Sequence, residues 1–176
     1  MCIKIKMKRG KSMNYKIYCD GAASNNGYEN AIGGWAYVVL DEEENIVFEN
    51  AEMVKGATNN RMELYAAYAG IYDLLFNQED VEHIDVYTDS AYLHNCITQK
   101  WYENWIRNGW RNAKKEPVAN KQLWQHLIPY FLDSRIEFHK VKGHNGDKWN
   151  EYVDQLAVAA REKMEDEEDN ANLWNL

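Results

Sequence analysis

The sequence has few cysteines and no long apolar run, and each shortage argues against a class of protein. The three cysteines are an odd number, are widely spaced and form no C-x-x-C pair, so we expect neither a disulfide framework nor a zinc knuckle. No apolar run approaches the roughly 20 residues that a membrane span needs, so no membrane partner is expected. The first residues are basic and lack the apolar core of a secretory signal. Together these features favour a reducing, cytoplasmic setting.

What is present is the composition of an ordinary globular chain. Of its 176 residues, 45% are hydrophobic and 27% are charged, which excludes wholesale disorder and fits one domain. The net charge of −8 argues against a nucleic-acid partner, but a basic segment at 100–121 interrupts the acidic background. Local charge rather than the total governs binding. We expect a flexible basic leader (1–14), a single domain (15–164) and a disordered acidic tail (165–176).

The apolar pattern predicts an α/β fold. Three strands come first, joined by short polar segments, and the second and third are most simply antiparallel. After Asn60 the apolar period becomes that of a helix. Strands and helices then alternate, which predicts a mixed sheet with helices on its faces. The segment 101–120 mixes tryptophans, basic residues and turn residues and favours neither structure. The predicted strands are 15–21, 33–40, 45–54, 83–89 and 135–141, and the predicted helices begin near 60, 90, 121 and 149.

Four acidic residues occupy strand ends and helix starts, where α/β folds gather functional sites. They are Asp20, Glu63, Asp89 and Asp154. Each also has a purely structural explanation: Asp20-Gly21 is a turn signal, Glu63 fits a helix capping box, and Asp89 is suited to cap a helix. Asp154 is equally compatible with an ordinary surface position. Spacing along the chain does not show that the four meet, so both interpretations stay open.

Several motifs resemble type 1 ribonuclease H of the bacterial kind, which carries a basic handle. The motifs are Y-x-D-G-A at 18–22, T-N-N-R-M-E-L at 58–64, Y-T-D-S at 87–90, V-K-G-H-N-G at 141–146, and a tryptophan-rich stretch at 97–110 that is similar to the handle. The resemblance implies a ribonuclease H-like fold, a five-stranded mixed β-sheet flanked by α-helices. It also implies an endonuclease that cuts the RNA strand of RNA–DNA hybrids and leaves 5′-phosphate and 3′-hydroxyl ends.

The resemblance assigns the four acids to metal binding. It implies that Asp20, Glu63, Asp89 and Asp154 hold two Mg²⁺ ions, for which Mn²⁺ is a substitute, with Asp20 bridging the pair. Carboxylates suit this role because Mg²⁺ prefers oxygen ligands and because clustered anions repel one another. His144, in a glycine-flanked loop, matches the family's mobile histidine, an auxiliary catalytic group that assists proton transfer or product release.

The resemblance also implies contacts to both strands of a hybrid. Such a substrate has no fixed sequence, so recognition depends on shape and on the 2′-hydroxyl of RNA. Asn26, Asn59 and Asn60 match positions that contact the RNA strand near the cut. Amide side chains suit this task because they both donate and accept hydrogen bonds. Thr58 and Asn120 match a seat for a phosphate of the DNA strand.

The handle is expected to carry the DNA strand. Trp101, Trp105 and Trp110 would supply an aromatic surface beside basic residues, which suits sugars and phosphates. The alternative, that Trp105 and Trp110 mainly pack the handle against its neighbouring helix, is equally consistent with the sequence. The chain also departs from the family pattern, since Gly56 stands where many members have an arginine, and Lys55 is the basic residue beside it.

Two alternative classes stay open. One is a non-catalytic module with the same fold that binds hybrids or double-stranded RNA, although a pure binder has no use for four clustered anions beside phosphate. The other is a different nuclease of the same superfold, such as a transposase or a junction resolvase. The T-N-N-R-M-E-L motif and the tryptophan-rich handle favour ribonuclease H over both. We expect a monomer with no obligatory protein partner.

Overall fold

The computed structural model describes residues 13–24, 31–143 and 145–173. Five strands and five helices are assigned within these ranges. The strands are β1 (Met13–Ala23), β2 (Ile32–Leu40), β3 (Ile46–Lys55), β4 (Val81–Thr88) and β5 (Ile136–Lys140). The helices are α1 (Asn59–Asn77), α2 (Ala91–Thr98), α3 (Trp101–Arg107), α4 (Lys121–Phe131) and α5 (Lys148–Leu173). The predicted order of strands and helices is confirmed except that α3 adds a helix between α2 and α4.

The strands form one mixed sheet in the order β3-β2-β1-β4-β5. β1, β2 and β3 pair antiparallel, as the short polar connection between β2 and β3 predicts, and β4 joins β1 in parallel. β5 adds a second parallel pair at the far edge. Parallel neighbours need a crossover connection. For the pair β1 and β4, α1 makes this crossover by leading the chain from β3, at one edge of the sheet, to β4. The predicted five-stranded mixed sheet is therefore confirmed, and β1 and β4 lie side by side at its centre.

Helices cover both faces of the sheet. Ile17 and Cys19 of β1 belong to the larger core beneath α1 and α4, whereas Tyr18 belongs to a smaller core beneath α5. β2 is buried along its whole length because both of its faces are covered. Gly34 permits the close approach of α5, since a Cβ atom there would lie 2.0 Å from the carbonyl oxygen of Ala157.

Two segments differ from their predictions. The ambiguous stretch 101–120 contains the short helix α3 and then a loop closed by an Arg111–Pro117 bridge. The closing helix, predicted to end at 164, continues to Leu173, so the prediction of a disordered tail is corrected for 165–173. Glu, Lys and Met are good helix formers, and a helix without an apolar stripe gives no periodic signal.

Candidate active site

Asp20 and Asp89 are brought together by the parallel pairing of β1 with β4. Tyr18 is the register partner of Tyr87, so Asp20 and Asp89, each two residues further along, reach the same level of the sheet. Asp20 is only 7% exposed, and its Oδ1 accepts a hydrogen bond of 2.7 Å from the Gly21 backbone N–H. One carboxylate of the predicted four is thus buried at the centre of the sheet, next to a second.

The first turns of α1 place Glu63 beside Asp20 and Asp89. Thr58 caps this helix, since its hydroxyl accepts a hydrogen bond from the Arg61 N–H. The helix start lies directly on β1, because a Cβ atom added at Gly21 would be 2.4 Å from the Glu63 backbone nitrogen. The Ser90 hydroxyl donates a short hydrogen bond to the Glu63 carboxylate. Glu63 is thereby anchored between β1 and the segment that follows β4.

Asp154 approaches from the other side of the sheet. It lies on α5, one residue after the fully buried Val153, and is itself only half-buried. Its carboxylate is close enough to Asp20 to raise the pKa of that residue. The four predicted acids, which come from β1, α1, the end of β4 and α5, therefore converge around Asp20.

This convergence perturbs the ionisation of the most buried acids. The pKa of Asp20 is raised to about 8. Burial is the largest cause, and the nearby carboxylates of Asp89, Asp154 and Glu63 raise this pKa further. Burial also raises the pKa of Glu63, an effect that the Ser90 hydrogen bond and the Lys140 ammonium oppose. Ionised carboxylates at this site therefore repel one another and are poorly solvated. A bound cation would reduce both effects.

The donor set fits a hard divalent cation. All four side chains offer carboxylate oxygens, which Mg²⁺ prefers. The carboxylates are not tightly clustered, however. Among the residues that the structure describes, the only three His, Cys, Asp or Glu side chains with ligand atoms within 4.8 Å of one another are His83, Asp85 and Glu137, on a different part of the sheet. No three of the four acids therefore bring their oxygens within 4.8 Å of one another.

The predicted RNA-contacting residues at the start of α1 have structural partners as well. The Asn59 side-chain oxygen accepts a 2.6 Å hydrogen bond from the Ala23 backbone N–H, so it ties the end of β1 to the helix. Asn60 is exposed in the first turn, and Thr58 is half-buried. Asn26 lies outside the described residues. The start of α1 therefore lies beside the carboxylates, and the predicted contacts of Asn59 and Asn60 with RNA stay a prediction.

His144 also lies outside the described residues, but its neighbour Gly143 lies close to the acids. A Cβ atom added at Gly143 would be 2.6 Å from Asp89 Oδ2. The loop after β5 therefore passes directly beside the candidate site. The auxiliary role of His144 stays a prediction.

The handle tryptophans are half-buried and pack together. The Trp105 ring lies 5.4 Å from Trp124 and 6.2 Å from both Trp101 and Trp110, measured between ring centroids. Trp101 and Trp105 also line a groove of about 260 Å³, which Arg111 borders. These rings therefore pack on one another and on α4, while Trp101 and Trp105 also line the groove, and their predicted contact with the DNA strand stays a prediction.

Asn120 lies where the handle meets α4. Its backbone is left-handed, with a φ of 57°, and its side chain hydrogen-bonds to Tyr92. Tyr92 also accepts a 3.2 Å hydrogen bond from the Trp124 indole N–H. Asn120 thus joins the handle to the core, and its predicted contact with a DNA phosphate stays a prediction.

Sequence reasoning missed two residues that support the acids. Ser90 was expected only as the last residue of the Y-T-D-S motif, and it, rather than Asp89, caps α2, since its hydroxyl also accepts a hydrogen bond from the Leu93 N–H. Lys140 was not considered; its ammonium donates a 3.1 Å hydrogen bond to the Asp89 backbone oxygen. The only available signal was its position at the end of β5, next to the strand that carries Asp89.

The sheet order and the converging acids together define an α/β domain of the ribonuclease H-like class. The family model described as RNase H matches residues 12–162. The Ribonuclease H of Syntrophomonas wolfei is 45% identical over 141 residues, which are 80% of this chain and 91% of the relative. The Ribonuclease H of Treponema denticola is 41% identical over 164 residues, covering 86% of this chain and 99% of the relative. The chain therefore belongs to the RNase H family.

Solved structures agree on the fold. LC9-RNase H1, described as a type 1 RNase H with the type 2 active-site motif, superposes with a TM-score of 0.72 at 24% identity, covering 89% of this chain and 75% of that one. LC11-RNase H1 in complex with an RNA/DNA hybrid gives a TM-score of 0.63 at 19% identity, covering 85% and 98%. The predicted family, fold class and enzyme class, a nuclease, are confirmed. None of the described helices is both long and apolar enough to cross a membrane.

Proposed function

We propose that the chain hydrolyses the RNA strand of RNA–DNA hybrids and leaves 5′-phosphate and 3′-hydroxyl ends. The observation that carries the proposal is the burial of Asp20 at the centre of the sheet, with three further carboxylates around it. Such a concentration of negative charge beside a phosphate substrate is useful only where cations bind. Its relatives named Ribonuclease H support the same activity.

We propose that the four acids hold two Mg²⁺ ions, for which Mn²⁺ is a substitute. Asp20 would contact both ions, Glu63 and Asp89 would hold one, and Asp154 would hold the other. A pair of divalent cations supplies an activated water and stabilises the leaving oxygen of a phosphodiester. The hydrogen bond from Ser90 keeps Glu63 oriented toward this site. Lys140, bonded to the Asp89 backbone, lowers the pKa of Glu63 and so favours its ionised, ligating form.

Substrate recognition is proposed to extend from the start of α1 to the handle. Asn59 and Asn60, with Asn26, would contact the RNA strand, and amides can satisfy a 2′-hydroxyl in both senses. Asn59 is held beside the end of β1 by the hydrogen bond that its side-chain oxygen accepts from the Ala23 backbone N–H. Thr58 and Asn120 would seat a phosphate of the DNA strand.

The handle is proposed to support the DNA strand through one face of its tryptophans. Trp101, Trp105 and Trp110 pack inward, yet the groove beside the first two is bordered by the Arg111 side chain. Lys121 adds a cation 5.8 Å from the centre of the Trp110 ring. An aromatic surface next to cations is suited to sugar and phosphate groups.

Proton handling during the reaction is proposed for His144. A histidine in a loop beside carboxylates has its charged form favoured, and the loop passes Asp89 at Gly143. His144 would act as an auxiliary group, so its loss should slow cleavage without abolishing it. We also propose a cytoplasmic setting, which the two buried free thiols of Cys19 and Cys96 support, and a monomeric state.

The activity is tested with one labelled RNA strand presented paired with DNA, paired with RNA, and alone. Each is incubated with Mg²⁺ and with EDTA, using the wild-type chain and Asp20→Asn. We expect metal-dependent cutting of the hybrid only, and none by Asp20→Asn, which should still bind the hybrid because phosphate contacts supply most of the affinity. Tight binding without cutting by the wild type would support a non-catalytic module. Normal cutting by Asp20→Asn would refute the role of the acids.

A further inference from the structure

A second group of metal-ligating side chains lies on the β4–β5 edge of the sheet. Odd-numbered residues of β4 and β5 face the same side as α5, but α5 packs over β1, β2 and β3 and leaves this edge uncovered. His83, Asp85 and His139 are each about one-third exposed there, at 34%, 27% and 31% of the side chain. Glu137 is exposed beside them. None of these residues belongs to the site proposed above.

Strand register brings the group together. Asp85 pairs with Glu137 across the parallel β4–β5 ladder, and His83 and His139 lie one step away on the same face, one on each strand. His83 Nε2 is 3.3 Å from Asp85 Oδ1, and His139 Nε2 is 2.7 Å from the same oxygen. Ligand atoms of His83, Asp85 and Glu137 all lie within 4.8 Å of one another. The arrangement is imposed by the backbone and needs no long-range movement to form.

We propose that His83, Asp85 and Glu137 bind one divalent transition-metal ion of the Zn²⁺ class. Tetrahedral ligands at about 2.0–2.1 Å from zinc are roughly 3.3 Å apart, which is the observed separation of His83 Nε2 and Asp85 Oδ1. The Glu137 side chain is exposed and long enough to close the third position, and water completes the fourth. An imidazole ligand favours zinc and its neighbours over Mg²⁺.

His139 is a positioning residue in this proposal. Its 2.7 Å contact with Asp85 Oδ1 is too short for both atoms to be tetrahedral ligands of one ion, so it acts through Asp85. A hydrogen bond from a histidine to a ligating carboxylate fixes the orientation of that carboxylate. The His139 ring is itself held by stacking on Tyr87, at 4.9 Å between centroids.

The local charge is compatible with a cation. Two carboxylates face the position, and the Lys16 ammonium, which also feels the charge of Asp85 across the β1–β4 pair, is ion-paired with Glu44 at 2.7 Å. Asp85 lies on β4 and Asp89 follows directly after its end, so the two are four residues, or about 13 Å of extended chain, apart. The proposed ion and the proposed catalytic cations would therefore bind separately. The consequence would be a cross-link between β4 and β5, which fastens the short edge strand.

The test measures Zn²⁺ binding by equilibrium dialysis in buffer that contains millimolar Mg²⁺. All proteins carry Asp20→Asn and Asp154→Asn, so that the carboxylate site contributes little and activity is not the readout. We expect about one Zn²⁺ per chain, and at least a tenfold weaker affinity in His83→Asn and in Glu137→Gln. His139→Asn should lose roughly tenfold. The matched control is His94→Asn, a histidine on α2 outside the group, which should bind as the parent does.

Two further measurements keep the proposal falsifiable if one variant folds poorly. Zn²⁺ should slow amide hydrogen exchange in β5 of the parent and should raise its melting temperature by roughly 5–10 °C at a hundredfold excess over Kd. At the same Zn²⁺ concentration both effects should fall to about half or less in Glu137→Gln, because a tenfold weaker site gives about half of the stabilisation, and the exposed Glu137 side chain is not part of the core. Unchanged Zn²⁺ affinity in both His83→Asn and Glu137→Gln, or no slowing of exchange in β5, would overturn the proposal. Neither outcome bears on the proposed ribonuclease activity.

Discussion

Replacing Asp20 with asparagine should stabilise the protein in EDTA. Asp20 has a pKa of about 8 in the folded chain, against an ordinary value of 3.8. Between about pH 4 and pH 8, the Asp20 carboxyl is therefore protonated in the folded state and ionised in the unfolded state. Stability from this residue is complete below pH 4 and is lost as the pH rises toward 8. Asparagine removes the ionisation and with it this loss.

The magnitude follows from the shift. At pH 7 the unfolded carboxyl is about three pH units above its pKa, which corresponds to at most about 4 kcal/mol at 1.36 kcal/mol per unit. The buried asparagine amide costs about 1–2 kcal/mol where it lacks a partner. We therefore expect Asp20→Asn to gain about 2 kcal/mol at pH 7, or roughly 4–8 °C in melting temperature for a chain of this size. At pH 5 the gain should be close to zero.

The assay is urea unfolding at several pH values between 5 and 8 in EDTA, for the wild type, Asp20→Asn and a control. Glu79→Gln is a suitable control because that carboxylate is exposed between α1 and β4. It should show no comparable gain. Adding Mg²⁺ should narrow the difference between the wild type and Asp20→Asn, because a cation bound only by the folded wild type stabilises it. A destabilised Asp20→Asn at pH 7, or a gain that does not shrink at pH 5, would refute the reasoning.

Three further changes have distinct expected outcomes. Ser90→Ala removes the hydrogen bond that lowers the pKa of Glu63, so the acid limb of the cleavage–pH profile should move to higher pH, as initial rates between pH 5 and 9 would show. Trp124→Ala empties a fully buried site and should cost about 3–5 kcal/mol in urea unfolding, with a smaller loss contradicting the assigned packing. Alanine replacements of four exposed handle cations should weaken hybrid binding and reduce the slope of log K against log salt by up to about 3.6, and an unchanged slope would remove the handle from the binding surface. The four cations are Arg107, Arg111, Lys114 and Lys115.

Periodic apolar patterns predicted the sheet well. The run without charged residues at 33–40 and the helical spacing after Asn60 correspond to β2, which is buried on both faces, and to α1, which buries one face. Convergence of the acids was not predictable from those patterns. It depends on the β1–β4 register and on the contact of α1 with Gly21, which are tertiary facts. At the level of the sequence, only the resemblance to the family predicted that the four acids meet.

Other features escaped prediction for identifiable reasons. α3 is seven residues long, too short for its apolar residues to show a period, and its tryptophans pack on side chains distant in the chain. The β4–β5 histidines lie more than fifty residues apart, so only the strand register reveals that His83 and His139 share Asp85. Asn59 gave no sign of tethering Ala23, because that bond needs the folded helix start.

The close seating of α1 on β1 has a mechanical consequence. At Gly21 the helix backbone touches the strand with no side chain between them, and Asn59 fastens the end of that strand to the same turn. Asp20, Glu63 and Asn59 therefore move as one rigid piece. Under the proposed function, Asn59 would contact a 2′-hydroxyl of the RNA strand, and Asp20 and Glu63 would act on the phosphate that is cut. The distance between that hydroxyl and that phosphate would then be fixed by the protein. A change that tilts α1 would then shift the position of cleavage along the hybrid before it lowered affinity.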